Sequence, residues 1–210
     1  MKKLAILGAS GHGKVVADTA QCCGWDLVDF FDDALPALTS NGSWPVVGDS
    51  AAMLARLQDY DGIVVAIGHN AVRHTKLLAL IEAAAPVVSL IHPMAFVSQR
   101  AVLGIGSVVF AGAVVNIDAR IGVGAILNTG CSVDHDCVLG GAVHISPGAR
   151  LAGGVNIGDR SWIGIGASVK QLIRVGHDSV VGSGASVVSD VPDGVLVVGV
   201  PAKIVSKGGK

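Results

Sequence analysis

Large rings are scarce in this chain. Four Phe, three Trp and one Tyr make up only 4% of the 210 residues, although 51% are hydrophobic. A core of small and aliphatic groups excludes packing around bulky aromatics and fits a narrow interior filled at native density. An excess of one charge is also missing. Fifteen Lys and Arg face sixteen Asp and Glu, for a net charge of −1, and no basic cluster forms a nucleic-acid-binding surface. No apolar run approaches the ~20 residues of a transmembrane helix. Met1-Lys2-Lys3 followed by Leu4-Ala5-Ile6-Leu7 begins like a signal peptide, but Gly8 ends the apolar run too early. The chain is therefore expected to be cytoplasmic.

What is present is a period of six. From Val97 to Val187, all sixteen positions at this spacing are Ile, Leu or Val, with no insertion. Four residues after each of them, twelve of sixteen sites are Ala, Ser or Cys. Six is neither the helical period nor plain strand alternation, so it reads as a short strand and a sharp corner, stacked many times. One large and one small inward residue per side suit a three-sided prism. Three sides give a coil of 18 residues, hence about five coils spaced by roughly 4.8 Å. Gly104, Gly122, Gly140, Asn116 and Asn128, each beside an aliphatic site, are expected to supply the corner conformations with positive φ.

Residues 1–91 lack this period. Lys3–Leu7, Asp26–Phe31, Gly62–Ile67 and Val87–Ile91 read as strands. Lys14–Cys23, Ser50–Leu57 and Ala71–Ala84 read as helices, and residues 34–48, with two Pro and two Gly, as a loop. Alternating elements of this kind predict a small parallel, Rossmann-like sheet. Gly8-Ala-Ser-Gly-His-Gly13 is a glycine-rich turn before the first helix, where phosphate can approach backbone N–H groups. Its G-x-x-G-x-G spacing departs from the G-x-G-x-x-G dinucleotide fingerprint, which argues against NAD. Asp32-Asp33 ends the second strand, where an acid can accept hydrogen bonds from a sugar or base edge.

The segment Asn128 to Ser146 carries the chemistry. His135 and His144 lie off the inward positions, and a histidine can accept a proton near neutral pH. Asp136 is adjacent to His135 and can orient its ring. Gly153 follows His135 by one coil of 18 residues, so it belongs at the same corner, with a backbone N–H open to an oxyanion. Zinc binding by Cys131, His135, Cys137 and His144 is opposed by the register, which turns both cysteines inward and both histidines outward. No metal is expected. His69, His74, His92 and His177 read as surface or structural residues.

The hexapeptide series resembles that of the hexapeptide acyltransferases. Several motifs narrow the resemblance: G-A-S-G-H-G-K-V-V, F-D-D, A-I-G-x-N, N-T-x-x-x-V-D-H-D-C, V-H-I-S-P-G-A and V-G-V-P-A-K. In this order they resemble the bacterial sialic-acid O-acetyltransferase-like family, and within it the N-acetyltransferases of UDP-linked 4-amino-4,6-dideoxy sugars of the bacillosamine type. The resemblance implies a mixed α/β and all-β chain. A Rossmann-like nucleotide-sugar-binding domain (1–91) would precede a left-handed parallel β-helix acetyltransferase domain (92–210). It implies a homotrimer with acetyl-CoA as co-substrate and acetylation of the C4 amine by direct transfer.

By the same resemblance His135 would be the general base, with Asp136 raising its basicity. His144 and Gly153 would contact the acetyl thioester. Ile165, Gly182 and Ser183 would line the CoA channel, although relatives tend to have Gly in place of Ser183. Ser10, Gly11 and His12 would hold the diphosphate, Asp32, Asp33 and Gly68 the uridine, and Arg73 a phosphate. Asn128 would lie near the amino sugar. Sialic-acid O-acetylation, N-acetylation of a GDP- or dTDP-linked amino sugar, and a non-catalytic β-helix scaffold are the alternative readings.

Overall fold

The computed structural model describes residues 1–207. The chain divides into two compact units, Met1–Pro93 and Met94–Lys210.

The first unit is an α/β layer. Strand β1 (Lys3–Leu7), helix α1 (Gly11–Cys22), β2 (Leu27–Phe31), β3 (Ser40–Asn41), β4 (Trp44–Gly48), α2 (Ser50–Ala55), β5 (Gly62–Val65) and α3 (Asn70–Glu82) follow one another. The sheet order is β3-β4-β2-β1-β5, parallel except for the short β3–β4 pairing. Leu4, Ala5, Ile6, Phe30, Ile63 and Val64 are fully buried, as expected for strands covered on both faces.

The first unit departs from the sequence expectation in two places. Residues 34–48 are not all loop, because Trp44–Gly48 forms β4 beside β2. Pro45 is tolerated because β4 lies near the sheet edge, next to the two-residue β3. Helix α1 starts at Gly11 rather than Lys14, so Gly11, His12 and Gly13 form its first turn, with Ser10 at the N-cap. Smaller departures are that β2 begins at Leu27, and that Val87 makes only an isolated bridge to Ile63.

In the second unit, two-residue strands repeat every six residues and pair in parallel with those 18 residues away, as in Val114↔Ser132 and Ser132↔Arg150. One face runs Phe96–Val97, Val114–Val115, Ser132–Val133, Arg150–Leu151, Ser168–Val169 and Ser186–Val187. A second runs Val102–Leu103, Arg120–Ile121, Val138–Leu139, Asn156–Ile157 and Arg174–Val175. A third includes Ile126–Leu127, His144–Ile145, Trp162–Ile163 and Val180–Val181, and ends with Val195–Val198 and the antiparallel Lys203–Lys207. This is a parallel β-helix of hexapeptide repeats. Its core contains the aliphatic sites from Val109 to Val187 and the small sites, Cys131 and Cys137 among them.

The corner residues are also corrected. Gly104, Gly122 and Gly140 are not left-handed, and neither are Asn116 and Asn128. A Cβ on Gly104 or Gly122 would lie 2.5 Å from backbone of the next coil, so these glycines are required by close stacking. The positive φ falls three residues after the aliphatic site. One column of it holds Asp136 (60°), Gly154 (68°) and Leu172 (62°).

Candidate functional site

His135 follows the strand Ser132–Val133 at the corner between the first and second faces. Its N–H donates to Asp134 Oδ1 (2.8 Å), which also accepts from Asn116 Nδ2 (2.9 Å) one coil away. The next residue, Asp136, takes the left-handed turn. That turn brings its carboxylate back to the ring, and His135 Nδ1–H donates to Asp136 Oδ2 at 2.7 Å. Nε2 is then the nitrogen with a free lone pair, as a base requires. The hydrogen bond to Asp136 raises the His135 pKa above its ordinary value. The imidazole lies over Gly153, where an added Cβ would sit 2.6 Å from Cε1 and Nε2. Gly154 N–H donates to His135 O (2.9 Å), which locks the two coils in register. His135, Asp136, Gly153, Gly154, Gln171 and Leu172 line a cleft of about 290 Å³.

His144 lies on a strand of the third face, between Ile126 and Trp162 in the pairing register. It is only 8% exposed. Its ring stacks on Trp162, with centroids 5.3 Å apart and planes within 9°. Asn128 Oδ1 accepts from Thr129 N–H (2.8 Å), which turns the Asn128 amide NH2 toward His144 Nε2 at 3.1 Å. Trp162 Nε1–H donates to Ser146 Oγ (2.6 Å). His144, Trp162, Ile165, Gly182 and Ser183 share a second cleft, of about 350 Å³.

The four other residues expected to meet acetyl-CoA, His144, Ile165, Gly182 and Ser183, therefore do not share a cleft with Gly153. One chain gathers His135, Asp136 and Gly153 at one corner, and His144, Ile165, Gly182 and Ser183 on the third face. Asn128 stands with His144 rather than with His135. A larger cleft, about 520 Å³, covers the second face. Its ionisable groups are tied into a ladder: His177 Nδ1 accepts from Asp159 N–H, and Asp193 Oδ1 from His177 N–H. Cys131 and Cys137 point into the prism core, away from both histidines.

In the first unit, the candidate nucleotide residues cluster at the C-terminal ends of β1, β2 and β5, the edge where open α/β sheets bind ligands. Gly8 and Gly13 are structural, since a Cβ on either would strike backbone. Gly11 and Gly68 have open space around the position of a Cβ: among the described residues, nothing outside their immediate chain neighbourhood lies within 4 Å of it. Ser10 is exposed at the helix N-terminus, and its carbonyl accepts from Asn41 Nδ2 (3.0 Å). Asp32 holds the glycine-rich loop, its two oxygens accepting from Ala9 N–H (2.7 Å) and Ala34 N–H (2.9 Å). Asp33 accepts from Ser50 N–H (2.8 Å) and Lys76 Nζ (3.1 Å). The Ser50 hydrogen bonds, aided by Lys76, hold its carboxyl down at about 2.

Arg73 differs from a phosphate-facing arginine. It is 1% exposed, and its guanidinium donates to Ile67 O (2.9 Å), Gly68 O (3.3 Å) and Asn70 Oδ1 (2.9 Å). It shapes the loop that presents Gly68. Burial lowers its pKa to about 9. Burial, with the Arg73 charge, also lowers the His12 pKa to about 4, so His12 is neutral near pH 7.

Sequence reasoning missed Trp162, Asp134 and Asn116 as parts of these clusters. The coil offset that links His135 to Gly153 also links His144 to Trp162 and Asn116 to Asp134, and it would have found all three.

Residues 3–78 match the PglD N-terminal domain family. Over 113 residues the chain is 38% identical to UDP-N-acetylbacillosamine N-acetyltransferase of Bacillus subtilis, a stretch covering 53% of this chain and 52% of that relative's length. Solved structures match nearly end to end. The acetyltransferase domain of PglB from Neisseria gonorrhoeae, in complex with acetyl coenzyme A, is 42% identical with a TM-score of 0.93, over 97% of this chain and 99% of that one. A variant of perosamine N-acetyltransferase from Caulobacter crescentus, in complex with CoA and GDP-perosamine, is 42% identical with a TM-score of 0.93, over 98% of each chain. The shared fold, identity and coverage lead to one conclusion: the chain belongs to the hexapeptide-repeat sugar N-acetyltransferases that include the PglB acetyltransferase domain and perosamine N-acetyltransferase.

Proposed function

We propose that the protein transfers the acetyl group of acetyl-CoA to the C4 amine of a UDP-linked 4-amino-4,6-dideoxy sugar, with His135 as general base. The observation that carries this reading is the arrangement of His135. Nδ1 is occupied by Asp136, and Nε2 sits over Gly153 in an open cleft. The amine nitrogen attacks the thioester carbonyl, and His135 Nε2 takes its proton. The C–N bond forms, the C–S bond breaks, and the CoA sulfur leaves as the thiol after receiving that proton. The Gly153 N–H is placed to stabilise the oxyanion. No acyl-enzyme is needed.

The UDP reading is supported by the Bacillus subtilis relative, whose substrate class its name states. A GDP-linked amino sugar is the second reading, supported by the 42% identity to the enzyme seen with GDP-perosamine. The nucleotide is assigned to Ser10, Gly11, His12, Asp32, Asp33 and Gly68, with Arg73 shaping the Gly68 loop. Thioester contact is assigned to His144 on the third face, with CoA along Ile165, Gly182 and Ser183. Direct transfer then needs the His135 corner of one copy beside the His144 face of another, so the reading includes a homotrimer. Cytoplasmic acetyl-CoA sets the compartment of the reaction.

His135→Ala tests the assignment of the base. A loss of ~10²–10⁴ in kcat is the scale for removing a positioned base. Retention of more than about a tenth of wild-type kcat would remove His135 from the role.

A further inference from the structure

Two adjacent glycines form the floor of the His135 cleft, and each is covered from the opposite side. The His135 ring lies over Gly153. Leu172 folds back over Gly154, with its Cδ2 2.7 Å from the position of a Cβ there. His135 and Leu172 therefore face each other across one floor, from coils on either side of it.

Leu172 is unusual in two respects. It is 76% exposed, and it occupies a left-handed backbone conformation (φ 62°). Glycine and aspartate fill most such corners in this chain, and these residue types tolerate that conformation. A large aliphatic side chain there is disfavoured both by the backbone and by water. Strain of this kind gathers at functional sites. Ile117, the exposed aliphatic group on the other side of His135, stands in the column of His135 itself and has no left-handed backbone.

We propose that Leu172 is the wall that limits the length of the transferred acyl group. This rests on the acetyl-transfer reading above. An amine within hydrogen-bond reach of His135 Nε2 places the thioester carbonyl over the Gly153–Gly154 floor. The backbones of the His135 and Leu172 coils are two rungs, roughly 10 Å, apart. The side chain of Leu172 leans into that gap, leaving room for a methyl group and closing it to a longer chain. Gln171, beside Leu172 in the same cleft, supplies the polar part of the wall.

The test compares kcat/KM for acetyl-, propionyl- and butyryl-CoA in wild type, Leu172→Gly and Leu172→Met, with one amino-sugar acceptor throughout. Gly suits the left-handed backbone, so this variant keeps the corner while removing the wall. Met keeps the volume and serves as the control. The expected result is at least a tenfold rise in the butyryl-to-acetyl ratio for Leu172→Gly, with Leu172→Met within about threefold of wild type. An unchanged ratio in an active Leu172→Gly enzyme would overturn the proposal, and so would a parallel loss with all three thioesters. Absence of acetyl transfer in the wild type to any amino sugar would instead overturn the function on which the proposal rests.

Discussion

The imidazole of His135 rests on Gly153, a residue one coil away whose missing side chain is the space that the ring occupies. The bare position admits the ring, and in the proposed mechanism the Gly153 N–H serves the oxyanion. Gly153→Ala should push the ring off its position, since the new methyl would meet Cε1 and Nε2 at 2.6 Å. The backbone at Gly153 is not left-handed, so the fold should tolerate alanine. Expected is a fall in kcat of about 10²-fold or more, with an unchanged far-UV circular dichroism spectrum. Wild-type kcat would show that the ring need not sit there.

In the proposed mechanism, Asp136 sets the pH at which His135 becomes available as a base. Its hydrogen bond raises the His135 pKa, and the base works only when neutral, so activity should rise with pH through that raised value. Asp136→Asn keeps a residue tolerant of the left-handed turn and weakens the hold on the imidazolium. Its acid limb in kcat/KM should shift to lower pH, with a lower plateau. A limb at the wild-type position would mean that another group controls it.

His12 links the stability of the first unit to acid. Its folded pKa is lowered to about 4 by burial and by Arg73, against about 6.5 in the unfolded chain. The unfolded state therefore binds the extra proton first. Stability is full above about 6.5 and falls as the pH drops toward about 4. His12→Gln should flatten that part of a melting-temperature profile. A profile as steep as wild type would assign the acid sensitivity elsewhere.

Direct transfer leaves no task for a thiol. Cys131 is buried in the prism, and burial pushes its pKa up to about 12. Cys131→Ala should retain wild-type kcat, and mass spectrometry of enzyme quenched with acetyl-CoA should show no 42 Da adduct, the mass an acetyl group adds, at this residue. An adduct on Cys131, with loss of turnover in the variant, would favour a covalent route.

The prism was legible because its core admits a single pattern. From Val109 to Val187 every sixth residue is buried, and the 18-residue offset placed Gly153 beside His135. The corners were less legible. Glycine serves two needs in this fold, close stacking at Gly122 and positive φ at Gly154, and composition does not separate them. Trp44–Gly48 was hidden because Pro45 and the glycines around it mimic a loop, and only pairing with β2 shows a strand. Arg73 looked available for phosphate. Its burial against Ile67 O and Gly68 O comes from tertiary packing that no local pattern records. The separation of His135 from His144 follows from counting faces, since nine residues span half a coil.

The most direct test measures thiol release from acetyl-CoA with a chromogenic disulfide. The acceptors are UDP-4-amino-4,6-dideoxy-N-acetylglucosamine and GDP-perosamine, with UDP-N-acetylglucosamine as the control lacking a free amine. Rapid release is expected with the UDP-linked amine and none with the control. Release with GDP-perosamine alone would move the specificity to the guanosine carrier and keep the chemistry. No release with either amine above the control, from folded protein, would rule out N-acetylation of these nucleotide-linked amino sugars.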